Sequence, residues 1–195
     1  MTGDPVAASP GERSRSLYLP PWRIDLTVRS KVPLVLPAAV LARVAVRALE
    51  AAGAPRPASL GLILSDDREL AALNATHMGE GGATDVLSFP LLPPEVFPPH
   101  PGRAAGGADA TPVAFVLPPS ARIHLGDIVV SVQRAIAQAH GGAGGQTGDV
   151  QGAPADELRL LVTHGALHVC GWNHVDPVEE RAMRALEQRL LAIGS

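Results

Sequence analysis

Between His164 and His174 the chain reads "HGALHVCGWNH", which sets three histidines four and six residues apart in a protein that has seven. Imidazole is the commonest metal-ligating side chain. At i and i+4 of a helix two such rings lie one turn apart on the same face. Gly171 follows at the point where a left-handed residue ends a helix and turns the chain back. That turn brings His174 round to face His164 and His168. Three protein ligands with a fourth position left for water are a catalytic zinc arrangement, so these three histidines are the candidate metal ligands, catalytic through the metal-bound water. Nickel or cobalt can take the place of zinc on imidazole. Cys170 projects away from the ligand face and reads as a packed thiol, and the isolated His77, His100, His124 and His140 read as ordinary hydrogen-bonded side chains.

The spacing H-x-x-x-H-x-x-G-x-x-H also belongs to metzincin proteases, whose general base is a glutamate directly after the first histidine. Here that position is Gly165, and a zinc metalloprotease on this helix would lack its base. A metal held by neutral imidazoles keeps its charge, lowers the pKa of bound water to about 7 and stabilises negative charge on a substrate oxygen. No side chain stands out as a general base, so a metal-bound hydroxide is itself the candidate nucleophile.

The elements that must carry this site alternate. "RIDLTVR" (Arg23 to Arg29) alternates polar and apolar residues as a strand does, and an amphipathic helix runs from Pro37 to about Ala52 before Gly53. "ASLGLILS" is a second strand. In the helix that follows, Asp66 and Glu69 have capping-box spacing. "TDVLSFP" and "LGDIVVS" are a third and a fourth strand, and "VQRAIAQAH" is a helix with Ser131 near its cap. Pro154 opens the histidine helix, which runs to about Val169; Asp176 caps the last one, with Pro177 at its first position and Glu179 completing a capping box. The expectation is an α/β (α+β) domain over residues 22–193, a small, mostly four-stranded sheet packed with about five helices. Residues 1–21 read as a flexible tail, residues 92–120 as a protruding Pro/Gly-rich insertion and residues 141–152 as a flexible linker.

At 195 residues there is room for one domain with a real core. Arg43 and Arg47 interrupt the longest aliphatic stretch, which excludes a membrane span there, and the N-terminal residues lack a signal-peptide apolar run. A single cysteine closes no intrachain disulfide; with these features it leads us to expect a cytoplasmic protein. The net charge of -3 and the single lysine, Lys31, leave no broad basic footprint for nucleic acid. A metal would supply positive charge locally.

The chain resembles the YbeY family of metal-dependent endoribonucleases and rRNA maturation factors in three ordered blocks. "HGALHVCGWNH" is similar to the signature H-G-x-L-H-x-x-G-x-D-H, "LNATHMGEGGATDVLSFP" to L-N-x-x-x-R-G-x-x-x-x-T-D-V-L-S-F-P, and "LGDIVVS" to G-D-I-x-I-S. The resemblance implies a YbeY-like metal-hydrolase fold, one zinc ion on His164, His168 and His174, and single-strand RNA cleavage. It also implies a role in maturing the 3′ end of small-subunit rRNA and in ribosome quality control. The partners would be an rRNA precursor or the small ribosomal subunit, with neither DNA nor membrane. From the resembling blocks Asp85, Ser88 and Asp127 are candidates for lining the substrate site, although turn and capping duty is the simpler reading of each. Two positions depart from the pattern. Asn173 replaces the usual aspartate and suits a turn role, and Met78 stands where the family has an arginine linked to RNA binding or catalysis. A non-catalytic metal-binding ribosome-assembly factor is the main alternative.

Overall fold

The computed structural model describes residues 11–77, 79, 81, 82, 84–103, 122–141 and 152–193. Among these, the elements run β1 (Arg13–Leu19), β2 (Trp22–Val28), α1 (Ala38–Ala51), β3 (Ala58–Ser65), α2 (Asp67–His77), β4 (Val86–Pro90), β5 (Ile123–Ser131), α3 (Val132–Gly141), α4 (Pro154–Val169) and α5 (Pro177–Ala192). The sheet order is β1-β2-β3-β5-β4. The centre, β2-β3-β5, is parallel, and β1 and β4 flank it antiparallel.

This mixed α/β architecture matches the expected class, with one strand more than expected. Strand β1 lies within the stretch read as a tail. "RSRSLYL" hides its periodicity because it is an edge strand: Ser14 and Ser16 face Thr27 and Asp25 on the solvent side, while only Leu17 and Leu19 pack on the core. The central strand β3, by contrast, is buried at nearly every position, as a parallel strand covered on both faces must be.

One face of the sheet carries α1, α3 and α4, and Leu60, Leu62, Ile128 and Val130 share a core with Leu41, Leu49, Ala135, Leu161 and Ala166. The other face carries α2, where Leu70 packs on Leu87 and Val129. Helix α4 is buried along most of its length, which accounts for its nearly continuous apolar sequence.

Both expected N-caps hold, while both capping boxes fail at the glutamate. Asp66 Oδ1 accepts from Glu69 N–H, and Asp176 Oδ1 accepts from Val178 and Glu179 N–H. Yet the Glu69 carboxylate binds Arg29 and Ser65, and the Glu179 carboxylate binds Asn173 N–H and His100. Charged and tertiary partners outcompete the local backbone donor.

The insertion expected at 92–120 begins as a packed segment. Leu92 touches the core, Pro94–Val96 form a 3-10 turn, and Phe97 is 4% exposed. Gly102, at φ +85°, fits against the backbone of Glu179 where a Cβ would collide. Proline and glycine here specify a rigid turn path, which composition alone could not separate from a protruding loop. Residues 104–121, the linker stretch 142–151, Met78 and residues 1–10 lie outside the described residues.

Candidate metal centre

The site is built from the end of α4 outward. His164 and His168 occupy one face a turn apart, with their Nε2 atoms 2.9 Å from each other and their rings nearly perpendicular. Helix α4 ends in a Schellman motif: Gly171 at φ +82°, its N–H on the His168 carbonyl, and the Trp172 N–H on the Leu167 carbonyl. The reversed chain carries His174 back, so that its ring centroid stands 5.1 Å from His168 and 5.9 Å from His164. One nitrogen from each ring falls within 4.8 Å of the other two.

Partners behind the rings determine which nitrogen faces the centre. The Trp172 carbonyl can only accept, so His168 Nδ1 donates to it at 2.8 Å. Likewise His164 Nδ1 donates to Glu187 Oε1 at 2.7 Å. Burial, and after it the neighbouring His164 and His174, push the His168 imidazole down to about 4, which keeps the ring neutral near pH 7. With both Nδ1 atoms committed to acceptors behind the rings, the two Nε2 atoms turn to the same point, 2.9 Å apart. Together with the third imidazole they form a donor set that fits a divalent metal, with carboxylate and carbonyl partners of the kind that orient metal-bound histidines. The fit extends to exposure: His164 is buried, while His174 is open to solvent.

Gly165 explains both the tight seat of α4 and the missing protease glutamate. A Cβ there would stand 2.6 Å from Ile128 Cγ2 and 3.1 Å from Val86 Cγ2, so the position faces the sheet and has no room for a carboxylate.

Between α4 and β4 lies a cleft of about 570 Å³ that reaches all three histidines and is lined also by Asn74, Asp85, Ser88 and Asn173. Asp85 and Ser88 thus lie where the sequence placed them, beside the histidines. Each also has structural duty: Asp85 accepts from Val86 N–H and Gln138 Nε2, and Ser88 Oγ donates to the Gly165 carbonyl at 3.1 Å. Asp127 is not brought there. It alternates with Ile128, whose side chain faces α4, so it points to the opposite face and pairs with His124 at 3.2 Å. Among the described residues no lysine or arginine lines the cleft. Asn173 takes a turn role, its Oδ1 accepting from Val175 N–H.

Sequence reasoning missed Glu187, the Trp172 carbonyl and the His100–Glu179 pair. Only the 3.6-residue phase of α5 hinted that Glu187 faces inward with Met183, and nothing in it pointed to His164. Cys170 behaves as expected, its thiol pushed up to about 12 by burial.

The family model described as "Endoribonuclease YbeY" matches residues 31–193. The chain is 42% identical over 154 residues to the endoribonuclease YbeY of Salinispora tropica, covering 79% of this chain and 85% of that one. It is 31% identical over 173 residues to that of Roseiflexus castenholzii, covering 88% and 92%. With the protein of Thermobifida fusca it shares 36% identity over 152 residues, covering 78% and 82%. The matched span carries the whole histidine cluster, β4 and β5, and on these grounds the chain belongs to the YbeY endoribonuclease family.

Proposed function

We propose that this protein is a zinc-dependent, single-strand-specific endoribonuclease that acts on an rRNA precursor, maturing the 3′ end of small-subunit rRNA and serving ribosome quality control. The observation that carries the reading is the convergence of His164, His168 and His174, two of them with Nε2 atoms 2.9 Å apart, at the head of an open cleft. Family membership supports RNA as the substrate class. No described helix is long and apolar enough to cross a membrane.

When bound, the cation supplies Lewis acidity toward a phosphodiester and makes water more acidic. His164, His168 and His174 would hold it. Glu187 and the Trp172 carbonyl keep the Nδ1 protons in place and so keep Nε2 free to coordinate. Ser88 ties β4 to the ligand helix through the Gly165 carbonyl, which fixes the cleft wall opposite the histidines. Among the described residues no lysine or arginine lines that wall, where Asp85 stands among neutral donors and acceptors, while Arg184 shares the adjoining pocket with His164 and His174.

The deciding experiment incubates purified protein, with and without added zinc, on single-stranded and duplex RNA of one sequence. Zinc-dependent cleavage of the single strand alone is expected. Binding without turnover would point instead to a non-catalytic assembly factor.

A further inference from the structure

The third ligand stands apart from the other two. His164 and His168 ride on a buried helix, whereas His174 comes from an exposed turn after Gly171, and something must hold that turn in place. Its contacts converge on the segment from Leu92 to Arg103. The His100 ring stacks flat on Trp172, with centroids 3.9 Å apart and planes 8° from parallel. Its Nε2 donates to Glu179 Oε1 at 2.8 Å, and the same oxygen accepts the Asn173 N–H at 2.6 Å. Arg103 Nη1 reaches the Gly171 carbonyl at 3.3 Å.

We propose that His100 is a positioning residue for the metal centre: through Trp172 and Glu179 it clamps the turn from Gly171 to Asn173 and so fixes His174 over the other two imidazoles. The proposal rests on the metal reading above. The side chains of His100 and Glu179 are 6% and 7% exposed, so their contact is shielded from water and from competing partners. Its geometry acts on the ligand's own backbone. Glu179 holds the amide one residue before His174, and the ring of His100 covers the indole of Trp172, whose backbone carbonyl fixes His168. A single segment thereby touches the supports of two ligands. The remaining closure of the clamp is steric: Gly102 lets the 100–103 turn, closed by the Arg103 N–H on the His100 carbonyl, lie against the first turn of α5.

The test compares the full-length protein with His100→Ala, His100→Gln and His100→Phe, using His140→Ala on the exposed end of α3 as the control. Two readouts are taken. Amide hydrogen exchange at Asn173 is measured on metal-free protein, and zinc affinity is measured by competition with a chromophoric chelator. In His100→Ala the Asn173 amide should exchange about tenfold faster or more, and the zinc Kd should rise by about tenfold or more. His100→Gln, which keeps a donor for Glu179, and His100→Phe, which keeps the stack, should each fall between wild type and alanine. The control should match wild type in both. Cobalt-loaded His100→Ala should also show a visible absorption band displaced in the same direction as that of His174→Ala. Wild-type exchange together with wild-type zinc affinity in His100→Ala would overturn the clamp. If His100→Ala fails to fold, the glutamine and phenylalanine variants decide the same question. Should the wild type bind no zinc, the metal reading falls, while the exchange measurement still decides whether His100 holds the turn.

Discussion

Glu187 and His164, 23 residues apart, meet through a 2.7 Å hydrogen bond between two side chains that are each 6% exposed. This buried carboxylate joins α5 to the ligand helix and sets which nitrogen of His164 looks toward the centre. Replacing Glu187 with alanine leaves Nδ1 without its acceptor and frees the ring to turn. Zinc affinity should fall by about 10–100-fold, while Glu187→Gln, which retains an acceptor oxygen, should lose less. Chelator competition on the two variants checks this, and equal affinities in wild type and Glu187→Ala would refute it.

His168→Ala removes the imidazole that shares the 2.9 Å contact with His164. Bound metal by elemental analysis should drop from about one equivalent to a small residue, and single-strand RNA cleavage should vanish with it. The circular dichroism spectrum should be unchanged, because the rest of α4 is held by apolar packing. A variant that keeps its zinc would sink the ligand assignment.

Acid should weaken the metal-free protein through His168. Its folded imidazole resists protonation until about 4, against an ordinary value of 6.5, because of burial and then the neighbouring His164 and His174. Across that window the unfolded chain binds more protons than the folded one, so stability is full above about 6.5 and is lost as pH falls toward about 4. Urea midpoints at about pH 7.5 and about pH 5 should differ more for wild type than for His168→Gln. Identical differences in the two proteins would contradict this sign.

Phe97 tests whether the segment after β4 belongs to the core. At 4% exposure, its truncation to alanine should cost about 3–5 kcal/mol. Deletion of the whole stretch from Leu92 to Ser120 should therefore unfold the domain or lower its melting temperature strongly. A melting temperature within a few degrees of wild type for Phe97→Ala would show that the segment only rests on the surface.

Gly165→Ala places a methyl group 2.6 Å from Ile128 Cγ2. Either α4 lifts from the sheet or the side chains shift, at a cost of about 1–3 kcal/mol. Denaturant titration gives the number, and no loss of stability would mean that α4 has slack against β5.

Local chemistry was legible in the sequence wherever one element decided it. The i, i+4 pair His164 and His168, the Gly171 turn, the caps Asp66 and Asp176 and the buried strand β3 all depend on near neighbours in the chain. Partnerships across elements left no local trace. Glu69 and Glu179 have capping-box spacing, yet Arg29 and Asn173 take their carboxylates. Asp127 sits in a family-like block, yet strand alternation turns it to the far face of the sheet. Strand β1 escaped because an edge strand needs only half of its residues to be apolar, and two leucines among serines and arginines do not stand out. The start of the Pro/Gly run, Leu92 to Arg103, packs where composition suggested a protruding loop, since rigid turns and loose loops draw on the same residues.

Helix α4 also says what kind of dependence on metal this protein has. A zinc finger is unfolded until its ion arrives, and its ligands have no fixed places beforehand. Here two ligands project from a helix wedged between α1, α3 and the sheet, and that helix would stand with no ion at all. Metal uptake then completes a scaffold already formed: binding to the folded chain still stabilises it by mass action, but the fold does not wait for the ion. Stripping the metal is therefore expected to cost activity before it costs shape.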